Sequence, residues 1–248
     1  MSAVRQPMSE PSFDASIVPA SRLAQLRAAR DIVVHEAHAL LDLSRQLDLQ
    51  FCEAVDLLAA CRGSAMLSGV GKAGLIARKV AATLSSTGTR AHFIHPTEAL
   101  HGDLGCVSED DVWLLFSNSG ETEEVCRLLP WIRDRRQSVI AITASNASTL
   151  GAGADVTIML GRLVEAGAHG LAPSTSTTAM LAIGDALALV LCQHRNFSPQ
   201  QFAVFHPGGS LGRRLASVKD VMRSAEQVRI AADSSTIREV FVSLSQPG

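Results

Sequence analysis

Six residues, Ser117-Asn118-Ser119-Gly120-Glu121-Thr122, place three hydroxyls and a glycine between an apolar run and a helical one. Asp111-Val112-Trp113-Leu114-Leu115-Phe116 reads as a buried strand, and Thr122 to Arg133 carries a helical pattern. A turn between strand and helix presents Ser and Thr oxygens beside backbone N–H groups at the positive end of a helix dipole, which suits a phosphate. One cap needs one such side chain. Three hydroxyls exceed that need, so Ser117, Asn118, Ser119 and Thr122 are candidate phosphate-binding residues.

A second glycine-rich segment, Gly69-Val70-Gly71-Lys72-Ala73-Gly74, follows a short apolar run and satisfies G-x-G-x-x-G. A dinucleotide site also wants an acidic residue at the end of the next strand. Here that strand ends Phe93-Ile94-His95, without an acid. The Walker spacing fails as well. Lys72 inside a glycine loop suits a single phosphate or a sugar better than a pyrophosphate, and Gly71 lets the backbone approach it. Glu165, His101 and His206 each lie in irregular, glycine-bearing segments, and Glu123 and Glu124 open a helix where the dipole favours carboxylates. Acid and base groups in loops between strands and helices point to a catalytic cleft. No His-x-x-x-His or paired cysteine spacing supports a metal. The chemistry that fits is a sugar phosphate handled by proton transfer, with no cofactor and no metal.

The elements that must position these groups alternate. Ser21 to about Cys61 reads as one or two long helices, with Leu23, Leu26, Val33, Ala37, Leu40 and Leu47 at roughly helical spacing. Strands are expected at Ala65–Gly69, Arg90–Ile94, Val112–Phe116, Ser138–Thr143 and Asp155–Leu160. Helices are expected from about Leu75 to Ser86, after Thr122, near Ser148–Ala152 and from Thr177 to His194. This alternation predicts an α/β three-layer sandwich around a five-stranded parallel sheet. Ligands of such sheets sit outside the carboxyl ends of the strands, where both glycine-bearing segments fall. Met1 to about Ala20 reads as a disordered leader, residues 21–216 as the main domain, and residues 217–248 as a tail or part of another domain.

Composition excludes much else. The 248 residues carry 47% apolar and 19% charged side chains with a formal charge of −2, a globular composition without a footprint for nucleic acid. The five scattered cysteines are expected to be reduced, as in a cytoplasmic protein. The longest apolar stretch, Ala179–Cys192, is interrupted by Asp185 and too short to span a bilayer, so no membrane partner is expected.

Several segments occurring in order carry a specific resemblance. They are Gly69-x-Gly71-Lys72, Ser86-Thr87-Gly88-Thr89, His95-Pro96-x-Glu98-Ala99-x-His101-Gly102-Asp103-Leu104-Gly105 and Ser117 to Glu121. Gly170-Leu171-Ala172-Pro173 with Ser176-Thr177-Thr178, and His206-Pro207-Gly208-Gly209-x-Leu211-Gly212, complete the set. Together they resemble the D-arabinose 5-phosphate isomerases, sugar-isomerase (SIS) domain enzymes of flavodoxin-like doubly wound fold. The resemblance covers about Ser21 to Met222. It implies interconversion of D-ribulose 5-phosphate and D-arabinose 5-phosphate through an enediol, without metal, supplying 3-deoxy-D-manno-octulosonate for lipopolysaccharide. It also implies a cytoplasmic homotetramer whose sites draw on more than one subunit.

Carried over by position, the catalytic set is Lys72, His101, Glu124, Glu165 and His206, with Gly71, Ser117, Asn118, Ser119, Thr122 and Ser176 on the substrate and its phosphate. Glu165 or His206 would be the base, with the balance towards His206. Two positions depart from the family pattern: Ala73 stands where a serine is usual, and Gly167-Ala168-His169 where Cys-Pro-Leu is usual. Val218-Lys219-Asp220-Val221-Met222 resembles the start of a regulatory CBS motif. Another SIS isomerase, or a sugar-phosphate sensor without turnover, is the alternative.

Overall fold

Five short strands form one parallel sheet in the order β2-β1-β3-β4-β5, with the three central strands wholly buried. The structure, a computed structural model, describes residues 20–206, 222–223 and 231–245. The strands are β1 (Ala65–Gly69), β2 (Ala91–Phe93), β3 (Val112–Phe116), β4 (Val139–Thr143) and β5 (Val156–Met159). Every residue of β1, β3 and β4 is buried, because helices cover both faces of a parallel sheet. This is the expected α/β sandwich.

Alternate residues of each strand serve opposite layers. Leu67, Leu114, Phe116, Ile140 and Ile142 pack with α2 (Leu49–Ala60), α3 (Gly71–Ser86) and α8 (Thr175–His194). Met66, Trp113, Leu115, Val139 and Ala141 pack on the other face with α4 (Pro96–Leu100), α5 (Glu123–Cys126), α6 (Leu128–Asp134) and α7 (Thr149–Gly153). Helix α1 (Ala20–Gln46) lies on the first side, where Leu43 enters the core while Val33 is 67% exposed. Asp48 separates α1 from α2 by accepting the Gln50 N–H at 2.9 Å, so the long N-terminal helical region is two helices.

Three expectations about helices need correction. Helix α3 begins at Gly71 and not near Leu75, so Lys72 belongs to its first turn rather than to a loop. The helix after Thr122 is interrupted at Arg127. Pro130 has no N–H to give the Cys126 carbonyl four residues back, which breaks the ladder there. Helix α8 runs twenty residues, long and apolar enough to cross a membrane, where the sequence pattern gave a shorter stretch. Nine of its residues are buried within the domain, as in a core helix.

The described residues fall into two compact units that meet between Asn196 and Phe197. The second holds α9 (Pro199–Val204), which the sequence did not predict, and α10 (Ile237–Ser245). A reciprocal capping box, Ser198 with Gln201, starts α9. Thr236 and Glu239 exchange bonds in the same way at the start of α10. The leader through residue 19, the Pro207–Gly212 part of the His206 motif, residue 216 and most of the Val218–Met222 run lie outside the described residues.

Candidate active site

The strand order reverses between β1 and β3, and the crevice outside the carboxyl ends of such a pair is where doubly wound sheets bind ligands. Gly69 pairs with Phe116 in register, so Gly71-Lys72 and Ser117–Thr122 leave the sheet side by side. The glycines divide their labour. A Cβ on Gly74 would meet the Gly69 carbonyl oxygen at 2.4 Å, so this pair allows α3 to press onto β1. Gly71 has φ +60° with nothing within 4 Å of a built Cβ, leaving its backbone open to the crevice. Lys72 is exposed on the first turn above it.

The hydroxyl loop is ordered by its own side chains. Ser117 Oγ meets Thr122 Oγ1 at 2.8 Å and accepts the Gly120 N–H at 3.1 Å, while Ser119 Oγ accepts the Glu121 N–H at 3.1 Å. The hydroxyls therefore order their own turn. Asn118 Oδ1 is buried without a partner, an acceptor or, with the amide turned, a donor held in reserve. Glu121 braces the loop from outside by accepting both the Thr149 N–H (2.8 Å) and its hydroxyl (2.7 Å). Those two bonds hold the Glu121 carboxyl below its ordinary range.

Helix α8 brings a second N-terminus to this rim. Lys79 of α3 pairs with Asp185 of α8, and Gly184 lies against Val80. Arg195, at the far end of α8, donates to Thr89 Oγ1 at 3.0 Å just beyond α3. The two helices thus run in the same direction, and Gly71 and Thr175 each stand nine residues before the Val80–Gly184 contact. Ser176 and Thr175 are buried there, and Thr175 Oγ1 has no partner.

Glu165 ties the loop after β5 to the start of α8. Its Oε2 accepts the Ser174 N–H at 2.9 Å, the Ser174 hydroxyl at 3.4 Å and the Ser176 N–H at 3.2 Å. Burial works against its charge, but the hydrogen bonds from Ser176 and Ser174 outweigh it and hold the carboxyl below the ordinary 4.5. These three bonds fall on Oε2, and the Ser176 side chain bonds the carboxylate as well.

Glu124 is exposed in the first turn of α5, and His101 caps the C-terminus of α4, also exposed. A cavity of about 730 Å³ beside them is lined by His95, Glu98 and Asp103 together with Arg78 and His92. Lys72 and the hydroxyl loop are outside that lining. Gly71, Lys72, Ser117, Asn118, Ser119 and Thr122 are thus gathered at one crevice, and Ser176 at the helix end level with it. His101, Glu124 and Glu165 follow the carboxyl ends of β2, β3 and β5 respectively. His206 belongs to the second unit, where its Nδ1 meets the Phe202 carbonyl at 2.8 Å and its ring stacks on Phe202. Among the described residues, no three His, Cys, Asp or Glu side chains are grouped as a metal site needs.

The SIS domain family profile matches residues 57–190. A Haemophilus influenzae relative is 46% identical over 204 residues, 82% of this chain and 60% of its own. The arabinose 5-phosphate isomerase KpsF of Escherichia coli O6:H1 (strain CFT073) is 44% identical over 215 residues, 86% of this chain and 66% of its own. This chain is a member of the SIS-domain arabinose 5-phosphate isomerase family. The solved structure of E. coli CFT073 c3406 in complex with arabinose 5-phosphate superposes on this SIS domain with a TM-score of 0.72. It is 39% identical and covers 77% of this chain and 100% of that one. The chain spans about two thirds or less of the length of these two curated relatives.

Proposed function

We propose that the protein is an aldose–ketose isomerase that interconverts D-arabinose 5-phosphate and D-ribulose 5-phosphate through an enediol. The observation that carries this reading is the pairing of the Ser117–Thr122 hydroxyl loop with Gly71-Lys72 at the β1/β3 reversal, in a chain whose relatives are named for that activity.

The 5-phosphate sits on the hydroxyl loop, where Ser117, Ser119 and Thr122 supply hydroxyls. Asn118 Oδ1 and Thr175 Oγ1, buried and unpartnered, offer further contacts; Ser176 and Gly71 complete that pocket. A base removes the carbon-bound proton next to the carbonyl, and Lys72 stabilises the oxyanion of the enediol. The proton returns at the neighbouring carbon while a second acid moves the oxygen-bound proton. Glu124 or Glu165 serves that second transfer, and His101 orients the sugar. His206 is the base: a carbonyl only accepts, so Nδ1 donates to Phe202 O and Nε2 keeps the lone pair of the neutral ring. Glu165, held below the usual carboxylate range, is the weaker base of the two.

Self-association, as the homotetramer of this family, is supported by apolar side chains exposed on α1, with Val34 at 51% and Leu41 at 53%. The five free cysteines support a reducing, cytoplasmic setting. The capped α10 supports reading residues 217–248 as the beginning of a CBS motif.

The test is proton NMR of D-arabinose 5-phosphate in deuterium oxide with chelator-treated protein. Ribulose 5-phosphate carrying solvent deuterium is expected. Absence of turnover with the phosphate bound would replace this reading with another sugar or a sensor.

A further inference from the structure

We propose that His35, on α1, is a positioning residue that holds the Glu165 loop and so aims that carboxylate; this rests on the isomerase reading above. His35 Nε2 meets the Val164 carbonyl at 2.8 Å, and because a carbonyl accepts, Nε2 carries the proton and donates. The bond falls on the residue immediately before Glu165. It links segments 129 residues apart in the chain. On the next residue, the Glu36 carboxylate accepts the Thr178 hydroxyl at 3.2 Å, which fixes this turn of α1 to α8. Residues 35 and 36 therefore clamp the loop and the helix that the loop feeds.

Beyond Leu163, which lies against the core, and the Ala166 N–H, which donates to Ser174 Oγ at 3.1 Å, the loop has little other support. Gly161, Gly167 and Gly170 all take positive φ, a backbone free to adopt many conformations. Val164 and Leu171 are 65% and 82% exposed, so neither anchors the segment by burial. Behind Glu165 lies a cavity of about 430 Å³, lined by Asp31, His35 and the loop backbone from Ala166 to Ala168. With open space there, hydrogen bonds decide where the Glu165 side chain points once Leu163 seats the loop. The Glu165 side chain is held at the start of α8 and the backbone just before it by His35, so the carboxylate has a defined direction.

The experiment compares His35→Phe, which keeps the ring and removes the donor, with His35→Gln, which restores an N–H at similar reach. Amide hydrogen exchange of residues 162–170 is read alongside steady-state kinetics and thermal melting. In His35→Phe, loop exchange should accelerate severalfold and kcat fall about fivefold to tenfold with KM within twofold, the scale of one neutral hydrogen bond. His35→Gln should recover most of both. A merely structural role would lower melting temperature in both variants without separating kcat from KM. Unchanged loop exchange in His35→Phe, or a His35→Gln as impaired as His35→Phe, overturns the proposal. If the wild type shows no turnover, the isomerase reading fails, while the exchange measurement still decides whether His35 holds the loop.

Discussion

Glu165 caps helix α8 from outside it: its Oε2 takes the Ser174 N–H at 2.9 Å and the Ser176 N–H at 3.2 Å. The same residue is a candidate acid of the proposed site, so one carboxylate joins loop geometry to chemistry.

That capping has a pH signature. The folded-state value of Glu165 lies below the ordinary 4.5, so its stabilisation is complete above about pH 4.5 and is lost as pH falls through the lower folded value. The group is only partly buried, so the contribution is about 1 kcal/mol after screening. The melting-temperature gap between wild type and Glu165→Gln should be steady from pH 6 to 7 at about 2–4 °C and shrink on acidification towards pH 3. A gap that is the same at both ends would show that the carboxylate charge does not matter to the cap. Activity should fall far more than stability in this variant at neutral pH.

Ser117→Ala tests the hydroxyl loop. Ser117 Oγ is both the acceptor for Gly120 N–H and the neighbour of Thr122 Oγ1. Its loss removes a proposed phosphate ligand and loosens the turn built on it. Affinity for inorganic phosphate, read by thermal shift or titration, should weaken about tenfold, in line with hydrogen bonds to a charged group. Equal affinity in the variant would place the phosphate elsewhere.

Gly120→Ala tests the backbone of the same loop. Gly120 has φ +69°, and a Cβ there would stand 2.0 Å from Ser148 Oγ and 2.7 Å from Thr143 Oγ1. Strain and collision together should cost about 2 kcal/mol or more, with several degrees lost in melting. Since Leu150 N donates to the Gly120 carbonyl at 2.9 Å, the displaced loop should also lose its seat on α7 and bind phosphate poorly. Wild-type melting would show that the loop has room that this geometry denies it.

The parts of this architecture that were legible in the sequence are those set by local pattern. Strands β1 and β3 match their expected bounds because each is a run of residues buried on both sides, ended by glycine or serine. The start of α3 was not legible: Gly71 to Gly74 reads as a loop, yet Gly74 packs on Gly69 so tightly that the helix begins at once. The hydroxyl loop announced itself through composition, and the resemblance marked Lys72, His101, Glu124, Glu165 and His206. What pattern could not give were the long-range braces. Glu121 holds Thr149 across 28 positions and His35 holds Val164 across 129, and neither carries a local signal. The orphaned hydroxyl of Thr175 likewise depends on how α8 lies along α3.

His206→Ala tests the assigned base. With Nδ1 bound to the Phe202 carbonyl, the proton must be taken by Nε2. Removing the ring should lower kcat about 10²- to 10⁴-fold, the range for general-base catalysis, and suppress deuterium entry into the product. Rapid exchange of the carbon-bound proton in this variant would pass the role of base to Glu165. Phosphate affinity should be unchanged, because the hydroxyl loop is left intact.

Gly184→Ala tests whether the lie of α8 on α3 sets the crevice. A Cβ at Gly184 would come within 2.2 Å of Val80 Cγ2 and 2.9 Å of Cγ1, and both residues are buried in the same core. Overpacking of this kind costs about 1–3 kcal/mol, or several degrees of melting temperature in a chain of this size. The two helix N-termini lie at the same end of this contact, so spreading the helices would also separate Thr175 and Ser176 from Gly71. Phosphate affinity should therefore fall along with stability. Val80→Ala in the same chain makes room for the new methyl, and the double variant should regain much of both losses, a coupling expected only of residues in direct contact. If Gly184→Ala melts like the wild type, or if the double variant merely adds the two single losses, the close approach of α3 and α8 is not what holds the crevice together.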